Sequence, residues 1–321
     1  MHALTQRRYG GTETLVLDDL PTPSAGPREV LVRVRAAGVD RGTWHLMTGQ
    51  PYATRLAFGL RRPKHPVLGR DLAGVVEQVG SEVTTVTVGE EVIGTANGSF
   101  AELAVVPETR LARKPAGLSF AEAAVLPVSG GTALQALRLA RVGPGDRVLV
   151  IGASGGVGSY AVQVAVALGA EVTGVASGAK ADLVRSLGAT HVVDHTHEEI
   201  DQTDRRYHVI IDLAGLRPLS LLRRCLAPDG TLVVAGGEGG DRWLGGTHRQ
   251  LGALALSAFT RQRLTALLSK ERAADFAELS AMVERGTLRP TLERTYSLDE
   301  APKAIEHLAA GHVRGKVAVV L

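Results

Sequence analysis

Cysteine is almost absent: Cys225 stands alone among 321 residues. A single thiol excludes an intrachain disulfide and a structural zinc held by several thiolates, and it suits a reducing, cytoplasmic setting. Aromatic residues are scarce at 4%, which argues against a nucleic-acid binder that stacks bases on rings. Charge of one sign is not in excess. Against 36 Lys and Arg stand 33 Asp and Glu, a net +3 with the charges interspersed, so no electrostatic footprint for DNA is present. The densest basic stretch, GLRRPKHP from Gly59 to Pro66, reads as a solvated loop rather than a phosphate-binding patch. No apolar run is long enough to span a bilayer, and MHALTQRRYGG at the start lacks the apolar core of a signal peptide. LGALALSAF, from Leu251 to Phe259, is apolar but short, and reads as a buried helix or an interface segment.

The chain is instead rich in small and aliphatic residues. It is 45% hydrophobic with 38 glycines, a balance that suits an α/β protein, and its length suggests two domains. The first third reads as β: Glu29 to Val39, Asp71 to Gly80, Glu90 to Ala96 and Ser99 to Pro107 are Val-rich and bounded by Gly or Pro. Irregular loops between such strands suggest a partly open β-barrel. From Ser119 the pattern changes to helix, a break at Pro127, and helix again, with Ser119 and Glu122 spaced as a capping box. Strands then alternate with helices: RVLVI, EVTGVAS, THVVD, HVIIDLAG and GTLVVAGG are separated by helical segments. That alternation predicts a parallel, doubly wound sheet covered on both faces. The final strand, GKVAVVL, is expected to return to the first domain. The expected division is 1–122 with 288–321, and 123–287.

The segment GASGGVG, Gly152 to Gly158, follows a buried strand and opens an apolar helix that leads to a second strand. In this setting a helix N-terminus receives the pyrophosphate of a dinucleotide. Gly152 provides the tight turn, Ala153 and Ser154 continue it, and Gly155 and Gly156 leave the phosphates unobstructed. Val157 starts the helix, and Gly158 lets it pack close to the sheet. An NAD site commonly has Asp or Glu at the end of the second strand, facing the ribose hydroxyls. Here Ser177 stands at that point, with Lys180 three residues on. A hydroxyl and an ammonium, with no acid at the strand end, favour the 2′-phosphate of NADPH over NADH.

These motifs together resemble the medium-chain dehydrogenase/reductase superfamily in its zinc-free, quinone oxidoreductase-like branch. The resemblance covers essentially the whole chain, through PREVLVRVRAAGVD, HPVLGRDLAGVVEQVGSEV, GASGGVG and GKVAVVL. It implies a GroES-like barrel domain, a Rossmann domain, and hydride transfer in a cleft between them. It further implies cofactor contacts at Thr132, at Gly236 and Gly237 in AGGEGG, at Lys316, and at His195, where related reductases often carry Tyr. Pairing into a homodimer through the nucleotide domain is also implied, with GTLVVAGG and the stretch from Leu251 to Phe259 as the surfaces concerned.

The same resemblance exposes departures. Zinc-dependent members carry Cys where this chain has Asp40, and Gly-His-Glu where it has Gly69, Arg70 and Asp71. Arginine cannot replace imidazole as a zinc ligand. Without that Lewis acid the hydride acceptor must already be electron-poor, as a quinone or conjugated carbonyl compound is. His45 matches a position occupied by proton donors or relays in relatives, and is the expected donor to the nascent oxyanion. Asp40 is expected either to orient His45 or hold the cofactor, or to pair with Arg70 or Arg41 and close the former metal site. The leading expectation is an NADPH-dependent quinone or enone reductase acting on a small molecule. An enoyl reductase serving one metabolite and an NADPH-binding protein with little turnover are the alternatives.

Overall fold

β-Branched segments bounded by Gly and Pro extend in the first third of the chain, as side-chain sterics favour. A computed structural model describes residues 1–202, 205–237 and 240–321. It begins with strands β1 (His2–Gln6), β2 (Leu15–Asp19) and β3 (Glu29–Val39), then helices α1 (Arg41–Thr48) and α2 (Arg55–Phe58). Strands β4 (Asp71–Val79), β5 (Glu91–Thr95), β6 (Leu103–Pro107) and β7 (Leu111–Arg113) follow, then helices α3 (Phe120–Ala123) and α4 (Pro127–Ala140). Ser119 and Glu122 form the expected capping box at α3. Pro127 is the first residue of α4, where its missing N–H leaves no intrahelical bond unmade.

The alternation that follows is β8 (Arg147–Ile151), α5 (Gly156–Ala167), β9 (Glu171–Ala176), α6 (Ala181–Ser186), β10 (His191–Asp194) and β11 (Tyr207–Asp212). It continues with α7 (Leu219–Cys225), β12 (Leu226–Val234), α8 (Thr247–Ser257) and β13 (Arg263–Ala266). Helix α9 (Ala273–Glu284), β14 (Leu292–Ser297), α10 (Ala301–Ala309) and β15 (Lys316–Val320) complete the chain.

The chain divides into two compact units, Met1–Gly131 with Glu271–Leu321, and Thr132–Lys270. Relative to the expected 1–122 with 288–321, the first unit gains chain at both cuts. The reason is packing. Leu279 and Phe276 of α9 lie over Gly130 and Gly131, and Ser280 donates to the carbonyl of Arg113 in β7. No composition change in the sequence marks α9 as belonging there.

In the first unit, β14, β15, β3, β4, β5 and β7 form one sheet in that order, with β6 also on β3. β15 pairs antiparallel with β3, so the closing strand does return to the first unit. Its core includes Val32, Leu72, Phe100 and Met47, all buried. In the second unit a six-stranded sheet runs β10-β9-β8-β11-β12-β13, and every pairing is parallel. Leu149, Ile151, Ile210 and Leu232 fill its core. Strand order reverses between β8 and β11, and ligands in such sheets bind beyond the carboxyl ends of the strands at that point.

Two expectations about the surface require correction. β12, which contains most of GTLVVAGG, lies between β11 and β13 and is not an edge. The edge is β13, whose RLTA is too short to announce itself. The segment from Leu251 to Phe259 is not a buried helix: Leu251, Leu254 and Phe259 are 62%, 49% and 87% exposed.

Candidate cofactor and active site

At the switch point of the second unit, β8 runs into the glycine segment. Gly152 has φ of +85°, a left-handed conformation that L side chains rarely adopt. A Cβ on Gly158 would lie 2.0 Å from the carbonyl oxygen of Gly152, so only glycine permits α5 to start this close to the strand. Gly155 is the N-cap of α5 and contributes no side-chain cap. Its own N–H returns to Gly152 O at 3.1 Å. The first-turn N–H groups of Gly156, Val157 and Gly158 have no intrahelical acceptors and face the helix N-terminus. Such a bare, uncapped terminus of a 12-residue helix fits a phosphate. Ala153 serves the sheet instead. It is fully buried, and its N–H is held by Val175 O at 3.0 Å. Ser154 is also buried, at 7% exposure.

The neighbouring strand ends add side chains. Ser177 is the N-cap of a short 3-10 turn over Gly178–Lys180, and both Ser177 and Lys180 are half-buried. His195 is exposed, with its N–H on Ala176 O at 3.1 Å. Gly236 donates to Asp212 O at 2.9 Å at the end of β12, and Gly237 follows it. Glu238 and Gly239 of the expected AGGEGG contact lie outside the described residues. Thr132 is half-buried in α4.

Three acidic groups here were missed by the sequence reading. Asp194, at the end of β10, takes a hydrogen bond from the backbone of Gly178. Hydrogen bonds from Thr196, first through its side chain and then its backbone, with one from His197, hold this carboxyl well below the usual range. The end of β9 before Ser177 has no acid, but the neighbouring strand β10 brings one beside Gly178. The second group is Asp212, fully buried at the end of β11. Its Oδ1 accepts from Gly215 N at 3.0 Å and its Oδ2 from Arg249 at 2.8 Å. The third, Glu271, belongs to the first unit. Asp194 and Asp212 both end a strand in a parallel sheet, a signal the sequence did contain.

In the first unit, Asp40 ends β3 and caps α1. Its Oδ1 accepts from Thr43 N at 2.8 Å, while Oδ2 is buried with no partner among the described residues. His45, one turn into α1, is oriented by the carbonyl of Gln50 at 2.7 Å, not by Asp40. Because a carbonyl only accepts, Nδ1 carries the proton. Nε2 of the neutral ring is then an acceptor, and it donates only in the imidazolium form.

Arg70 does not close onto Asp40 as one expectation had it. It pairs with Glu271, which also meets Arg110 at 3.3 Å. Asp71 is fully buried and pairs with Lys316 at 3.2 Å; the Lys316 side chain is 1% exposed. Asp71 also accepts from Val128 N at 2.7 Å in the first turn of α4. Burial pushes the Asp71 carboxyl up to about 6; Lys316 opposes the rise and Asp40 adds to it. Lys316 is therefore placed inside the fold on a carboxylate rather than at an open surface.

The positions where relatives hold zinc thus carry an N-cap carboxylate, a guanidinium in an ion pair, and a carboxylate neutralised by lysine. Among the described residues, no three His, Cys, Asp or Glu side chains are grouped to hold a metal. This donor set does not suit zinc.

A parallel sheet of this order with a bare glycine-lined helix terminus defines a dinucleotide-binding protein, joined here to a β-rich unit. The family pattern "Alcohol dehydrogenase GroES-like domain" matches residues 26–116, and "Zinc-binding dehydrogenase" matches residues 187–319. The quinone oxidoreductase of Pseudomonas aeruginosa is 34% identical, over 97% of each chain. The mitochondrial NAD(P)H oxidoreductase RTN4IP1 of Mus musculus is 32% identical, over 91% of this chain and 82% of its own. The structure of the quinone oxidoreductase from Coxiella burnetii superposes with a TM-score of 0.87 at 28% identity, covering 100% of this chain and 99% of that one. The chain belongs to the medium-chain dehydrogenase/reductase superfamily. It is an oxidoreductase of that superfamily and uses a nicotinamide cofactor.

Proposed function

We propose that this protein is a zinc-independent, NADPH-dependent reductase of quinones or conjugated carbonyl compounds. The observation that carries the reading is the internal engagement of Arg70 and Asp71 where a metal would otherwise polarise the acceptor. An acceptor that is already electron-poor needs no such polarisation. The relatives named quinone oxidoreductase support the same class.

A nicotinamide cofactor held through its pyrophosphate at the glycine loop would supply a hydride. Gly156, Val157 and Gly158 receive the pyrophosphate, Ser177 and Lys180 the adenosine-ribose end, with His195 beside them. Thr132, Gly236 and Gly237 are proposed for the nicotinamide end. The Oδ2 of Asp40, without a partner among the described residues, can accept a hydrogen bond from a hydroxyl. The hydride adds to the electron-poor carbon, and its electron pair displaces the π pair onto oxygen. The His45 imidazolium donates its Nε2 proton to that oxygen and is reprotonated from water. For NADPH, the ammonium of Lys180 must outweigh the carboxylate of Asp194.

We further propose a cytoplasmic homodimer joined along β13 and the exposed apolar side of α8. Sedimentation as a monomer at micromolar concentration overturns that pairing. The function itself is tested by NADPH and NADH oxidation with quinones, enones, aldehydes and saturated ketones, with zinc and chelator as controls. Reduction of quinones or enones, faster with NADPH and indifferent to chelator, is the expected result. Activity confined to aldehydes and ketones overturns the reading.

A further inference from the structure

The segment from Arg41 to Arg70 contains no Asp or Glu, yet it carries Arg41, Arg55, Arg61, Arg62, Lys64 and Arg70. Arg55 is committed internally: it stacks 4.4 Å over Tyr9 and donates to Gly49 O at 2.9 Å. Arg61, Arg62 and Lys64 are exposed and make no ion pair among the described residues.

This segment walls a cleft in the first unit with about 40 Å³ of enclosed space, within an envelope of about 450 Å³ that includes open solvent. Leu46 and Phe58 give it an apolar side, and Lys64, His65, Arg70 and Asn97 its polar side. No carboxylate lines it. Lys64 and His65 are exposed at its rim, whereas Leu68 and Gly69 are buried beneath. Arg70 is paired with Glu271, which Arg110 shares, so two guanidinium groups on one carboxylate leave this group with a net positive charge.

Gln6 also lines the cleft and is 2% exposed. Its Nε2 donates to Leu46 O at 3.1 Å, which leaves Oε1 buried with no partner.

We propose that this cleft selects anionic acceptors: carbonyl compounds with an apolar body and a carboxylate or phosphate facing Lys64 and Arg70. The guanidinium fork and the ammonium match both oxyanions. Their role in turnover rests on the reductase reading; their role in binding does not.

The test compares the enone benzalacetone carrying a para-carboxylate, the methyl ester of that acid, and the para-phosphate. The expected kcat/KM for the acid exceeds that for the ester about tenfold at low salt and falls as salt is added. In Arg61→Gln/Arg62→Gln/Lys64→Gln the ratio approaches one, and Lys64→Glu inverts it. Thermal melting checks that each variant is folded. A phosphate preferred over the carboxylate assigns the group as the dianion and also sustains the proposal. Equal or better use of the ester, or a ratio indifferent to the three substitutions, overturns it. If neither quinones nor enones are reduced, the reductase reading fails separately. Calorimetric titration with the saturated acid and its ester then decides: tighter binding of the acid, lost in the triple variant, sustains the cleft assignment, and equal binding overturns it.

Discussion

In the glycine loop of the second unit the working groups are backbone N–H groups of adjacent residues. In the first unit they are side chains drawn from positions as distant as Asp40, Asp71, Glu271 and Lys316. The loop carries no charge of its own; its field comes from the start of α5. The polar group of the first unit is charged and largely buried, with Asp71 facing Lys316 and Arg70 facing Glu271. A backbone-built site tolerates almost nothing added to it. A side-chain-built site tolerates changes of shape better than an unmatched charge.

The largest effect is expected where that second statement is most exposed. Lys316→Ala leaves the Asp71 carboxylate buried without its cation and should cost about 3–5 kcal/mol in chemical denaturation. The double variant Asp71→Asn/Lys316→Met, which removes both charges, should recover most of that loss. The same pair has a pH signature. Asp71 is held at about 6, above its unfolded value of about 4. Between these values the folded chain keeps a proton that the unfolded chain has released, so stability falls as pH rises through the window. The double variant should lose that slope.

The glycine loop is broken by addition instead. Gly158→Val puts a side chain into the carbonyl of Gly152, and nucleotide affinity should fall on the order of a hundredfold by direct titration. Unchanged affinity would show that the loop does not hold the pyrophosphate. Next in size is His45→Gln, expected to lower kcat about ten- to a hundredfold. A variant with full activity removes His45 from the chemistry. The smallest effect is expected at the strand ends. Asp194→Asn removes the carboxylate beside Gly178 and should raise the preference for NADPH over NADH about three- to tenfold, measured by kcat/KM for each cofactor. A fall in that preference would place the adenosine ribose elsewhere.

How much was legible follows the same division. GASGGVG between a buried strand and an apolar helix gives its turn and helix start directly, because turn, cap and helix start are decided by residues in contact along the chain. The capping box at Ser119 and the return of GKVAVVL were legible for similar reasons: one is a local pattern, the other an apolar strand that needed a sheet. Asp194 was passed over because its effect on Ser177 depends on β10 lying beside β9. Glu271 was invisible as the partner of Arg70, since nothing in the intervening chain indicates that they meet. The strand-end logic applied to Ser177 was sound for its own strand and incomplete for the sheet.

Local preference therefore determined, from the chain alone, the α/β class, the alternation of strands and helices, and the glycine-lined start of α5. Backbone sterics and helix-end hydrogen bonding act over a few residues and are written in neighbouring letters. Tertiary structure decided the rest: which carboxylate meets Arg70, which lysine neutralises Asp71, which oxygen of Asp40 stays free, and which strand forms the sheet edge. Those outcomes depend on register and packing, which bring together residues far apart in sequence. The energy of a charge depends on the neighbour it finally meets and on how much water remains between them.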